Sequence, residues 1–168
     1  EEVILSGGDP LVATDEQLRE LVADIAAIAH VRRLRIHTRL PIVIPARVTD
    51  SLLEAIAHPG LQTVVVIHCN HANEMDASVV TALQALRRRD ITLLNQSVLL
   101  ANINDNVDAQ LALCQRLFAA GVLPYYLHLL DKVQGAAHFD VPEASARQLV
   151  HELTGRLSGY MVPKLVRE

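Results

Sequence analysis

LQTVVVIH, residues 61–68, is apolar almost without a break. A strand with one wet face alternates apolar and polar residues, whereas a strand covered on both faces reads as a continuous run. Shorter runs of the same kind stand at 3–5, 33–37, 91–95 and 122–128, roughly thirty residues apart, the length of one strand-plus-helix unit. Helical patterns fill the intervals. In TDEQLRELVADIAAIA, Thr14 and Gln17 have the spacing of a capping box, and Leu18, Leu21, Val22, Ile25 and Ile28 share one helical face. Ser51 and Glu54 repeat the capping spacing before LLEAIAH; DASVVTALQALRRR and NVDAQLALCQRLFAAG are amphipathic, the second closed by Gly121; Pro142 suits the first turn of a last helix. Strand and helix in alternation predict a parallel α/β sheet of about five or six units, either most of a TIM-type (β/α) barrel or an open doubly wound sheet. No linker or low-complexity tract divides residues 1–168, which read as a single domain.

Composition narrows the function. The chain has 168 residues, 51% hydrophobic and 3% aromatic, so Leu, Val, Ile and Ala must build the core. A net charge of -4 argues against a general nucleic-acid or membrane-surface binder. No apolar run approaches the roughly 18 residues that span a bilayer. Two cysteines, Cys69 and Cys114, make no disulfide framework, and a reducing cytoplasm is the expected setting. The chain opens inside a strand pattern and closes on YMVPKLVRE, a strand running into a loop, so both ends read as cut from a longer protein.

Polar residues gather where the predicted strands end. The first ends in Ser6, Gly7, Gly8 and Asp9; the second in His37, Thr38 and Arg39; the third in His68, Cys69, Asn70 and His71; the fourth in Asn95, Gln96 and Ser97; the fifth in His128, followed by Asp131. In barrels and open α/β sheets alike, ligands bind at the carboxyl ends of the strands. Blander readings compete at each position. GGDP is also a turn signal, and no GxGxxG or GxxxxGK[ST] accompanies it. His68 and His71, three apart at a strand end, point to opposite faces, which argues against a shared metal. His30, His58 and His151 read as surface or helix-end histidines, Arg87 to Arg89 as a helix-end charge run, and Cys114 as a small core residue. Asp131 beside Lys132 fits a surface ion pair.

Six collinear stretches, ILSGGDPL, HTRLPIVIPARVT, HCNHANE, LLNQSVLLANIND, PYYLHLLD and SGYMVPKLVRE, resemble the lysine 2,3-aminomutase family of radical S-adenosylmethionine enzymes. YYLHLLDKVQGAAHF is most similar to the branch that supplies β-lysine for modification of elongation factor P. The resemblance implies a partial TIM-type barrel and an isomerase converting L-α-lysine to β-lysine with S-adenosylmethionine, a [4Fe–4S] cluster and pyridoxal phosphate. It places Ser6, Gly7, Gly8, Asp9, His68 and Gln96 at S-adenosylmethionine, Tyr126 and His128 near pyridoxal phosphate with Tyr125 on the other strand face, and Asp131 at the lysine ammonium. The family's CxxxCxxC cluster motif and its cofactor-binding lysine do not occur here. No metal ligand and no catalytic residue is therefore expected within 1–168, which alone should be inactive. The expected partner is lysine, with no nucleic acid and no membrane; a homo-oligomer is left open. Two alternatives stand beside this one. One is a degenerate barrel that binds S-adenosylmethionine or a partner without catalysis. The other is an aldolase-like barrel forming a Schiff base on Lys132 or Lys164.

Overall fold

A computed structural model describes residues 1–132 and 134–167. Six parallel strands alternate with helices: β1 (Glu2–Leu5), α1 (Asp15–Ala27), β2 (Arg33–Thr38), α2 (Leu40–Val43), α3 (Asp50–Ile56), β3 (Gln62–His68), α4 (Ala77–Arg87), β4 (Thr92–Val98), α5 (Val107–Ala119), β5 (Leu123–His128), α6 (Glu143–Thr154) and β6 (Lys164–Val166). The strands follow one another in chain order. This is the α/β alternation that the apolar runs predict. Among the described residues, no helix is long and apolar enough to cross a membrane.

The chain forms two compact units, one of Glu1–His68 with Asp76–Leu94, the other of Cys69–Met75 with the chain from Asn95 onward. In the first unit, β1 pairs with β2 (Val3 opposite Leu34) and β2 with β3 (Ile36 opposite Val65, Thr38 opposite Ile67). Leu34, Ile36, Val65, Val66 and Ile67 are sealed from solvent, as are Leu18, Val22, Leu52, Ile56 and Leu83 on the helices. Each such side chain contributes about 1.5–3 kcal/mol on burial. In the second unit, β5 pairs with β6 (Leu127 opposite Leu165). Its core joins Leu99, Leu127 and Leu129 to Val141, Ala146, Leu149 and Leu153 around α6.

The helix signals hold with local corrections. Thr14 and Gln17 form the capping box of α1. Leu18, Val22 and Ile25 are buried, but Leu21 and Ile28 stay 42% exposed, Ile28 because it is already the C-cap. α3 is capped by Thr49, whose hydroxyl accepts the Leu52 N–H, and not by Ser51, which lies inside the helix. Both residues suit a cap by type; the extended backbone of Thr49 decides between them. Gly121 (φ 78) follows the α5 C-cap as expected, its N–H reaching the Phe118 carbonyl. Pro142 precedes α6 as its N-cap instead of entering the first turn.

Candidate functional site

In the first unit, β1 runs into Gly7 (φ 88) and Gly8 (φ 58), a left-handed pair that side chains adopt only at a cost. A Cβ on either would meet nothing within 4 Å, so open space lies over bare backbone. Ser6 beside them is exposed. Asp9 then caps the short 3₁₀ turn Pro10–Val12. Its Oδ1 accepts the Leu11 N–H at 3.0 Å and the Thr38 hydroxyl at 2.7 Å, and its Oδ2 accepts the Arg39 N–H at 2.7 Å. The end of β1 is thereby tied to the end of β2. Behind this turn Arg47 donates from Nε to the Leu11 carbonyl at 2.8 Å and from Nη2 to the Ala13 carbonyl at 3.0 Å, and pairs with Asp15 at 2.7 Å. At the ends of β2 and β3, the His37 and His68 rings meet edge to face with centroids 6.1 Å apart.

The Asp15 carboxyl titrates below its ordinary value. Burial favours its neutral form, but hydrogen bonds from Ser51 and Arg47 and the charges of Arg47 and Arg19 outweigh that. A depressed folded-state value stabilises the fold above the unfolded value of 3.8 and loses that stabilisation as pH falls through the folded one. Arg47→Met should therefore cost about 1–3 kcal/mol at neutral pH. The gap from the parent chain should narrow below pH ~4 as Asp15 protonates. Urea melts at pH 7 and in the acid range measure both; a gap that does not depend on pH would contradict the pairing.

In the second unit, asparagine side chains stitch loops together. Asn95 accepts the Cys69 N–H at 2.9 Å and donates to the Cys69 carbonyl at 3.1 Å. Asn70 accepts the Val98 N–H at 2.9 Å. Asn104, fully buried, donates to the Asn70 carbonyl at 2.8 Å and the Val98 carbonyl at 2.9 Å and accepts the Leu100 N–H at 2.7 Å. Glu74 holds the Asn70 and His71 N–H groups at 2.7 and 2.8 Å. β4 extends to Val98, so Asn95, Gln96 and Ser97 lie within the strand and not past its end. Alternation buries Asn95 and Ser97 and turns the half-buried Gln96 to the opposite face.

Tyr126 and His128 share a face of β5, their rings edge to face at 5.7 Å. Tyr125 does not keep to the far side. Its ring stacks on that of Tyr126 at 3.7 Å and the two hydroxyls hydrogen-bond at 2.9 Å. Strand alternation fixes where Cβ points, while a phenol reaches further. Asp131 stands exposed on a cavity of about 400 Å³ that Leu130, Lys132, Gln134, Ala137 and Asp140 also line. Asp140, a second carboxylate there, lies nine residues beyond the strand-end pattern, and only its charge would have marked it in the sequence. Cys69 and Cys114 form no disulfide and are buried, and burial pushes the Cys114 thiol up to about 12. Among the described residues, no cluster of three His, Cys, Asp or Glu is placed to hold a metal ion.

The first unit thus gathers Gly7, Gly8 and Asp9 with Thr38 and Arg39, and His37 with His68. The second gathers Asn70, Cys69 and Asn95, sets Tyr126 against His128, and gives Asp131 a cavity with Asp140. No family model matches the chain. Among curated proteins, L-lysine 2,3-aminomutase of Escherichia coli is 56% identical over all 168 residues, and that of Haemophilus influenzae 53% over the same span. Along its whole length the chain is similar in sequence to proteins named L-lysine 2,3-aminomutase. It spans about half the length of these relatives, 49% and 50%. A more distant aminomutase, from Methanococcus maripaludis, is 38% identical over 168 residues, covering 98% of this chain and 38% of its own. A solved domain of pyruvate-formate lyase-activating enzyme from Bacteroides vulgatus superposes with a TM-score of 0.64 at 12% identity, covering 99% of this chain and 98% of that one. That likeness carries the fold alone.

Proposed function

We propose that the protein carrying this chain is an L-lysine 2,3-aminomutase that moves the α-amino group of L-lysine to the β-carbon, and that its β-lysine serves modification of elongation factor P. The observation that carries the reading is identity of 49–56% along the chain with three proteins named for this activity. When bound, S-adenosylmethionine with the iron–sulfur cluster supplies one-electron hydrogen abstraction, and pyridoxal phosphate supplies an electron sink for the migrating nitrogen.

The chain's own residues divide the remaining work. The open backbone over Gly7 and Gly8 suits the methionyl end of S-adenosylmethionine, since no side chain stands between ligand and main chain. Ser6, Asp9 and His68 belong to the same proposed shelf in the first unit. Tyr126 and His128 present a polar aromatic face to pyridoxal phosphate. Asp131 supplies a carboxylate to the lysine ε-ammonium, a charge-assisted contact that rejects substrates lacking the amine. The two buried cysteines do not fit the cluster, and no step is assigned to them here.

The test is anaerobic turnover of L-lysine by the protein carrying this chain, with S-adenosylmethionine, reductant and pyridoxal phosphate. Chromatographic appearance of β-lysine is the expected result. Binding of S-adenosylmethionine without any β-lysine would overturn the assignment in favour of a non-catalytic barrel. Transfer of the product to purified elongation factor P tests the second half.

A further inference from the structure

We propose that the rim where the strands of the first unit begin is a docking face for an acidic segment of a partner protein, gripped by Arg87, Arg88 and Arg89 at the end of α4. This rim lies at the opposite end of the seven-residue strand β3 from His68, roughly 20 Å away. It is separate from the proposed cofactor shelf and stands independently of what that shelf binds.

α4 closes on bonded main chain. The Arg88, Arg89 and Asp90 N–H groups reach the Gln84, Leu86 and Arg87 carbonyls at 3.1, 3.1 and 3.0 Å, so three exposed arginines fan out from a fixed turn. One cation in the last turn complements the helix dipole, and Arg87 supplies it. Arg88, the C-cap, and Arg89 beyond it are more than the helix needs. Other arginines serve the fold: Arg32 donates to the Ala29 and Val31 carbonyls, Arg116 to that of Met75, and Arg156 faces Asp108. Among the described residues, no side-chain hydrogen bond or ion pair holds Arg87, Arg88 or Arg89.

Two cavities flank the turn. Arg87 and Arg88 line one of about 340 Å³ with Gln84. Arg89 lines the other, of about 410 Å³, with His58, Gln62 and Asp90. His58 accepts the Gly60 N–H on Nδ1 at 3.1 Å, which leaves the Nε2 hydrogen as its donor. Gln62 stands opposite Arg33 in the sheet, a further exposed arginine on the same rim. Asp90 keeps a side chain at φ 57, a left-handed position after a helix where glycine is the usual choice. Its carboxylate takes a donor of the partner and so sets the register of docking. Donors dominate the rim, and guanidinium forks match carboxylates two bonds at a time, so a run of Asp or Glu is the occupant that fits. Nucleic acid fits less well. The chain carries a charge of -4, and among the described residues no Phe or Tyr lines either cavity for a base to stack on.

The probe is a fluorescein-labelled decaglutamate peptide, titrated with the protein carrying this chain and followed by polarisation at about 50 mM salt, where surface charges are little screened. Arg87→Gln, Arg88→Gln and Arg89→Gln together should weaken binding about tenfold, since exposed ion pairs each contribute a few-fold. Arg87→Lys, Arg88→Lys and Arg89→Lys together keep the charge and should bind within about threefold of the parent. A control set, Arg19→Gln, Arg147→Gln and Arg156→Gln, removes as much charge from other exposed positions and should cost less than about twofold. Equal losses in the glutamine set and the control set would reduce the effect to net charge and overturn the docking face. Undiminished binding to the glutamine set, or no binding to the parent, overturns it as well. Tripolyphosphate or a ten-residue oligouridylate that binds the parent more tightly than the peptide overturns the acidic-protein occupant. Should the glutamine set fail to fold by circular dichroism, Arg89→Gln alone carries the test: about threefold weaker binding is expected, and unchanged affinity overturns the inference.

Discussion

Asn104→Leu is expected to destabilise the second unit by about 3–6 kcal/mol, since each buried polar group left unpaired costs about 1–3 kcal/mol. Leucine matches asparagine in shape, so the loss is polar and not a cavity. It strands three main-chain groups at once: the Asn70 and Val98 carbonyls and the Leu100 N–H. The Asn104 side chain is 0% exposed while its three partners lie on half-buried residues, so water takes over only in part, and the expected cost stays in the lower part of the roughly 3–9 kcal/mol that three unpaired groups would sum to. With a urea slope of about 1–3 kcal/mol per molar, the midpoint should fall by roughly 2 M. Asn104→Asp should do comparable harm, because it keeps the acceptor for Leu100 but turns a carboxylate on two carbonyls. A cost within about 1 kcal/mol for both variants would mean that the loops find other partners.

The second large effect is kinetic. Asp131→Asn, in the protein carrying this chain, is expected to raise the KM for L-lysine about thirtyfold, or ~2 kcal/mol. It should leave the S-adenosylmethionine requirement within about twofold. The magnitude decides between two situations. Asp131 is exposed on its cavity in this chain, and an exposed ion pair is worth less than about 1 kcal/mol. A hydrogen bond to a charged group shut off from water is worth about 1.5–3 kcal/mol. Thirtyfold therefore commits to a cavity closed over the bound amino acid. A change under about threefold would show a solvated carboxylate, and Asp140 would become the residue to test.

The apolar runs and capping pairs made the α/β alternation readable before any coordinates, because burial on both faces and a satisfied first turn are local demands on residue type. Thr14 with Gln17 is the plain case. What stayed hidden was where strands stop and which polar residues serve the fold. Asn95 and Asn70 look like ligand-facing groups at strand ends, yet they bond the backbone of Cys69 and Val98. Asn104 drew no notice in the sequence, because a buried polar hub has no periodicity, and its partners lie up to 34 positions away. Asp9 was legible as a polar residue at the right place, but its engagement with Thr38, 29 positions on, was not. A strand end marks a polar residue for attention; only the positions of its neighbours say whether its hydrogen bonds are already spent.

The sealed sulfurs carry a practical consequence. Cys69 and Cys114 are 0% and 1% exposed, and the chain has two cysteines in all. A maleimide dye or nitroxide added to the folded chain would find neither sulfur within reach. One cysteine introduced at Val12, which is 74% exposed, would then be a single addressable point three residues from Asp9. A reporter there would register movement of the glycine turn against a silent background.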